Sequence, residues 1–156
     1  MQGDKIMASK FIKSLGEMDK FAGEILNSPR LEGITAKSGG GATILALSGE
    51  LGSGKTAFVK SLAKALGIHD TITSPTFVII KTYNLQPTTY KQLIHIDAYR
   101  IEDPREIEIL GWNDLIKNSQ NLIAVEWPEQ LGALLPSSAL NLLFKFVDEN
   151  TREIKF

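Results

Sequence analysis

The stretch "GELGSGKT", residues 49–56, places glycines, a lysine and a threonine at the spacing G-x-x-x-x-G-K-[ST]. Residues of these types at this spacing do one kind of chemistry well, which is holding a chain of phosphates. Glycine turns tightly and leaves backbone N–H groups facing inward with no side chain in the way. A helix that starts at the end of such a loop adds its unpaired N–H groups and the positive end of its dipole. The candidate phosphate-contacting set is Gly49, Glu50, Leu51, Gly52, Ser53, Gly54, Lys55, Thr56 and Ala57. Within it, Lys55 reaches the β- and γ-phosphates as a point charge, and the Thr56 hydroxyl is placed to ligate Mg²⁺.

Such a loop needs an acid near it to orient metal and water, and that acid stands at the end of a hydrophobic strand. Two acids fit, Asp97 in "LIHIDAYR" and Glu126 in "LIAVEWPE". Either one alone also reads as a surface carboxylate capping the next turn. The hydroxyl-rich loop "TSPTF", residues 73–77, reads as a segment that closes on a nucleotide through a Thr hydroxyl, or as a turn that satisfies its own backbone. His95 shares a strand face with Asp97 and reads as structural rather than as a metal ligand. Trp127 reads as packing area. The acids Glu102, Asp103, Glu106 and Glu108 read as the solvated first turns of a helix, a poor face for a nucleic-acid backbone.

The elements that must position these residues follow from pattern. The run "TILAL" before the loop is a buried strand, and "AFVKSLAKAL" after it repeats apolar side chains at helical spacing. Upstream, "SLGE" has the S-x-x-E form of a capping box and opens a helix over 15–26. Segments 77–85, 92–97 and 121–126 read as strands. Residues 103–116 read as one helix with Asp103 as cap, Pro104 in the first position, and Ile107, Leu110 and Leu115 facing inward. A closing pair, "ALNLLFKFV" and "REIKF", is joined at "DENT". Helices alternate with apolar strands and strands dominate last. That order predicts an α/β fold, a single P-loop NTPase-like domain with a mainly parallel sheet, antiparallel additions and flanking helices. The polar opening "MQGDKIMASK" reads as part of a flexible leader over 1–13, with the domain over 14–156.

Composition bounds the function. The chain has 156 residues, 43% of them hydrophobic, and a net charge of −1, so no overall basic field draws nucleic acid. It has no cysteine, which excludes thiol catalysis and cysteine-held metals and fits a reducing cytosol. No apolar run is long enough to span a bilayer.

Taken together, "GELGSGKT", "TSPTF", "HIDAYR" and "EWPE" occur in the order and at intervals that resemble the bacterial TsaE (YjeE) family, over essentially 14–156. The resemblance implies a small cytoplasmic ATPase needed to make N6-threonylcarbamoyladenosine in tRNA. It implies work beside TsaD and TsaB, the proteins that transfer the threonylcarbamoyl group, with tRNA met through that complex. By the same resemblance Lys55 and the loop amides hold ATP, Thr56 and Glu126 hold Mg²⁺, and Asp97 acts near metal and attacking water. Thr76 belongs to a switch-like loop and Trp127 lies beside the site. Ser14 and Arg152 resemble positions at the adenine and nucleotide edge. The connector 27–42 and the excursion "LQPTTYKQ" depart from the family pattern. The rival readings are a small-molecule kinase of the same fold and a non-hydrolysing nucleotide-gated module. Against the kinase, Arg30, Arg100, Arg105 and Arg152 are scattered and no lid insertion follows the third strand.

Overall fold

The apolar strands over 43–49, 92–97 and 121–126 are buried on both faces along almost their whole length, as parallel strands covered by helices must be. The computed structural model describes residues 7–32, 39–73, 75, 77–86 and 89–156. Within these, β1 (Ser9–Ile12), α1 (Leu15–Leu26), β2 (Thr43–Gly49), α2 (Lys55–Ala65), β3 (Ile80–Asn84) and β4 (Gln92–Asp97) come first. After them come α3 (Arg105–Ile109), α4 (Trp112–Lys117), β5 (Asn121–Glu126), a 3-10 segment (Pro128–Leu134), β6 (Leu140–Asp148) and β7 (Thr151–Lys155). One seven-stranded sheet runs β1-β7-β6-β2-β5-β4-β3. The centre is parallel, with β2 between β6 and β5 and β4 beside β5, and the flanks β3, β7 and β1 are antiparallel. This is the mixed sheet that the alternation of elements predicts.

The two-residue period of the strands sorts side chains between two cores. Leu45 and Leu47 of β2, Leu93 of β4, and Leu122 and Ala124 of β5 face α1 and α2. Ile44, Ala46, Ile94, Ile96, Ile123 and Val125 face α3, α4 and the 3-10 segment. The same period sets His95 and Asp97 of β4 and Glu126 of β5 on the side of α2, where the phosphate loop lies. Phe58 of α2 meets Phe21 of α1 at 5.8 Å and Phe144 of β6 at 5.6 Å between ring centroids, locking the helix that carries Lys55 to its neighbours.

Helix ends follow local chemistry. The Ser14 hydroxyl accepts the Glu17 N–H at 3.1 Å, while the Glu17 carboxylate reaches the N–H of Lys13 rather than of Ser14 itself. The helix after the loop ends as a Schellman motif: Gly67, at φ 80°, donates to Lys64 and Ile68 donates to Ala63.

The structure corrects the reading in three places. Residues 9–12 lie within the expected leader, yet they form β1 and pair with β7. The single helix over 103–116 is two helices, because Gly111 takes a left-handed φ of 95° between them. Asp103 does accept the Arg105 N–H at 3.0 Å, but the break turns Leu110 outward and buries Trp112 instead. The strand expected over 77–85 starts only at Ile80, since Ile79 has φ 63°, a costly conformation for a β-branched residue.

Asp19 ties the two helices of the phosphate-loop side together. It accepts Ser61 Oγ at 2.7 Å and Lys64 Nζ at 2.6 Å, and these hydrogen bonds, Lys64 first, hold its carboxyl below the ordinary value of 3.8. Asp19→Ala is expected to cost about 1 kcal/mol in urea unfolding, because it strips the buried Ser61 hydroxyl of its acceptor while the exposed Lys64 pair adds little. A depressed carboxylate stabilises the fold above its unfolded-state value and ceases to as pH falls through the folded-state value. The difference between parent and variant should therefore be full near neutral pH and shrink below pH 3.8.

Candidate functional site

Three parallel strands bring the site together at their carboxyl ends. Glu126 of β5 is in register with Leu47 of β2 on one side and with Asp97 of β4 on the other. The phosphate loop leaves β2 two residues beyond Leu47, so the loop and both acids open into one space, where ligands bind in open α/β sheets. A cleft of about 360 Å³ lies there, lined by residues 51–57 together with Asp97, Glu126, Trp127 and Arg152.

The loop needs its first glycine for space. A Cβ on Gly49, whose φ is 149°, would stand 2.5 Å from the Phe144 carbonyl oxygen and 2.6 Å from Ser53 Oγ. Because α2 begins at Lys55, the N–H groups of its first turn, Thr56 and Ala57 included, have no acceptor within the helix. Ser53 Oγ is buried and has no hydrogen-bond partner among the described residues. The side chains of Glu50 and Leu51 are exposed, so what these two residues offer the cleft is backbone.

Lys55 is 5% exposed. Its ammonium donates to the Gly49 carbonyl and, at 2.9 Å, to the Glu50 carbonyl, and it sits 4.1 Å from the centre of the Trp127 ring. Burial lowers its pKa from the ordinary lysine value, opposed by the charges of Glu126, Glu129, Asp97 and Glu50. Its direct contacts are neutral carbonyls and a π face, which leaves the ammonium without an ion-pair partner at contact distance and open to an anion entering the cleft.

Glu126 is bound at both oxygens. Thr56 Oγ1 donates to Oε1 at 2.7 Å, and His95 Nε2 lies 2.9 Å from Oε2. Asp97 Oδ1 accepts the Tyr99 N–H at 3.0 Å. One hydroxyl and two carboxylates suit a hard cation that keeps waters and takes phosphate oxygens, which describes Mg²⁺ rather than a metal in an all-protein cage. Among the described residues no group of three His, Cys, Asp or Glu stands together as a metal cage.

Trp127 follows Glu126 with φ 58° and packs its ring 5.0 Å from that of Tyr99. This left-handed turn lays the indole across Lys55, so it does more than fill the core. Beside the main cleft, a second of about 290 Å³ is lined by Ser14, Met18, Gly54, Ala57, Asn150 and Arg152 among others. Gly54, Ala57 and Arg152 border both spaces, so Ser14 and Arg152 stand at one end of a continuous surface. Arg152 donates to the carbonyls of Gly52 and Asp148, at 3.2 and 2.7 Å. Thr76 lies outside the described residues. Every other candidate residue borders this joined surface or the loop that forms it. Sequence reasoning missed the contact of His95 with Glu126 as well as the seat of Trp127 over Lys55. The signal for His95 was its i, i+2 spacing to Asp97, which fixes the face but not the neighbour.

Comparison with known proteins identifies the family. The profile of the TsaE family, described as threonylcarbamoyl adenosine biosynthesis protein TsaE, matches residues 12–154. The tRNA threonylcarbamoyladenosine biosynthesis protein TsaE of Bacillus subtilis (strain 168) is 41% identical over 113 residues, covering 72% of this chain and 68% of that protein. Its namesake from Borreliella burgdorferi is 40% identical over 105 residues, covering 67% and 74%. The crystal structure of Bacillus subtilis YdiB superposes with a TM-score of 0.69 at 28% identity, covering 96% of this chain and 84% of that one. The matched stretch begins inside β1 and ends inside β7, and so takes in the loop, both strand-end acids and Arg152. The chain belongs to the TsaE family.

Proposed function

We propose that this chain binds ATP with Mg²⁺ and hydrolyses it in the cytoplasm as a subunit of the machinery that makes N6-threonylcarbamoyladenosine in tRNA, working with TsaD-like and TsaB-like proteins. Support for the reading is the Thr56–Glu126 contact of 2.7 Å at the mouth of a phosphate loop, beside a buried Lys55 and in a member of this family. The loop N–H groups from Gly49 to Ala57 and the Lys55 ammonium hold the phosphates. Thr56 and Glu126, with Asp97, would hold the metal, which would supply Lewis-acid stabilisation of charge on the phosphate oxygens. Asp97 orients the water that attacks the γ-phosphorus. The bond from that phosphorus to the β–γ bridging oxygen breaks, leaving ADP and phosphate. Thr76 belongs to the loop that closes on the nucleotide, and Ser14 and Arg152 border the nucleoside end.

Among the described residues, Lys55 and Arg152 are the cations that line the cleft, and no further arginine reaches it. Arg30 lies over Phe156, Arg100 over Phe77, and Arg105 is paired with Asp103, while Arg152 stands at the nucleoside end of the cleft on the carbonyls of Gly52 and Asp148. Positioned cations are worth about 10³–10⁵ in rate in such reactions. The chain alone should therefore be a slow ATPase, and with a net charge of −1 a poor tRNA binder. The test is phosphate release at moderate salt from the chain alone, with tRNA, and with TsaD-like and TsaB-like proteins. Stimulation is expected only with the proteins. Stimulation by tRNA alone, or a fast basal rate that partners leave unchanged, would overturn the reading. Phosphate appearing on a small-molecule acceptor would mark a kinase, and nucleotide binding with no release under any condition a gated binding module.

A further inference from the structure

We propose that His95 is a positioning residue for Glu126, its Nε2–H fixing one carboxylate oxygen so that the other is held against Thr56. The inference rests on the nucleotide and metal reading of the cleft and adds to it the group that aims the acid. His95 is fully buried, as is most of Glu126, and the two meet at 2.9 Å across neighbouring strands. They are not register partners, since His95 lies opposite Ala124, so the contact runs diagonally toward the site end of the sheet.

The chemistry decides the proton's place. A carboxylate only accepts, so the ring nitrogen facing it must donate. The other nitrogen, Nδ1, is buried with no partner among the described residues. An N–H there would be an unsatisfied buried donor, whereas a bare lone pair costs less. A ring that donates from Nε2 meets both conditions. The bond then pins Oε2 and leaves Oε1 on Thr56 Oγ1, so a carboxylate free to rotate about its last torsion acquires one orientation. An apolar side chain of similar size would fill the same space and leave Oε2 bare.

Partners that orient a metal-binding side chain in this way are worth about 10–100-fold in metal affinity or activity. The test is calorimetry of ADP binding with and without Mg²⁺ on the full chain. His95→Leu should lower the Mg²⁺-dependent gain in affinity about 10–100-fold while leaving Mg²⁺-free affinity unchanged. His95→Gln, which carries an amide donor at nearly the same reach, should restore most of the gain. In a Glu126→Gln background His95→Leu should add nothing further. Equal loss in the Leu and Gln variants, equal loss without metal, or a full further loss in the Glu126→Gln background would each overturn the proposal. A parent chain with no Mg²⁺-dependent gain would instead remove the metal reading on which it stands. Should His95→Leu fail to fold, the parent still decides: long-range ¹⁵N–¹H correlation of the imidazole must show the Nε2–H tautomer, and the Nδ1–H tautomer would end the idea.

Discussion

Lys55→Ala is expected to weaken ATP binding by at least about a hundredfold, read by calorimetry, with little change in fold. Charge-assisted hydrogen bonds are worth roughly 1.5–3 kcal/mol each, and each 1.4 kcal/mol is tenfold in affinity. Lys55 is the lysine inside the loop, and its ammonium is already desolvated against carbonyls of Gly49 and Glu50 and the face of Trp127. Binding anionic phosphates would therefore gain a charge partner without the further cost of stripping water from that ammonium. Lys55→Met separates charge from packing, because it keeps an unbranched stem beside Trp127 and removes the cation. Both variants should lose affinity alike. A Met variant that binds as the parent does would show that the stem, and not the charge, shapes the site.

How far the sequence alone carried the reading depends on the range of the interaction concerned. Helix α1 and strands β4 and β5 were legible to their ends, because a capping Ser14 and the acids Asp97 and Glu126 mark boundaries within the segments themselves. Strand β1 was not, since "SKFI" alternates only weakly and buries Ile12 alone. It becomes a strand through pairing with β7, more than a hundred residues along the chain, which no local pattern records. The break between α3 and α4 was visible in principle as Gly111, but the apolar spacing continued across it and masked the turn. In the site, the loop and both acids could be read, since phosphate chemistry demands those residue types at those places. The second contact of Glu126 could not. His95 lies 31 residues away and reaches it only through the register of two parallel strands. The turn that lays Trp127 over Lys55 was hidden too, because an aromatic residue gives no hint of a positive φ.

Glu126→Gln and Asp97→Asn are expected to keep nucleotide binding and to slow hydrolysis by at least about tenfold each, a barrier rise of roughly 1.4 kcal/mol. The surroundings of each acid say why the fold should tolerate the change. A glutamine at 126 can turn its carbonyl oxygen to His95 Nε2 and its amide to the Thr56 hydroxyl, which can accept as well as donate. An asparagine at 97 can still accept the Tyr99 N–H through its remaining oxygen. What both variants lose is negative charge at the place assigned to metal and water, so the defect should fall on chemistry rather than on assembly of the cleft. Calorimetry should therefore show ATP affinity near that of the parent in the absence of Mg²⁺ and a reduced gain when Mg²⁺ is added. Phosphate release, measured with the partner proteins present so that the parent rate is high, should drop for each variant. The two losses should not simply add, since Asp97 and Glu126 are register neighbours to which the proposed function gives one metal and one water to share. If both variants release phosphate at the parent rate, the strand-end acids are caps for the turns that follow them, and the hydrolytic site must be sought elsewhere on the chain or in a partner.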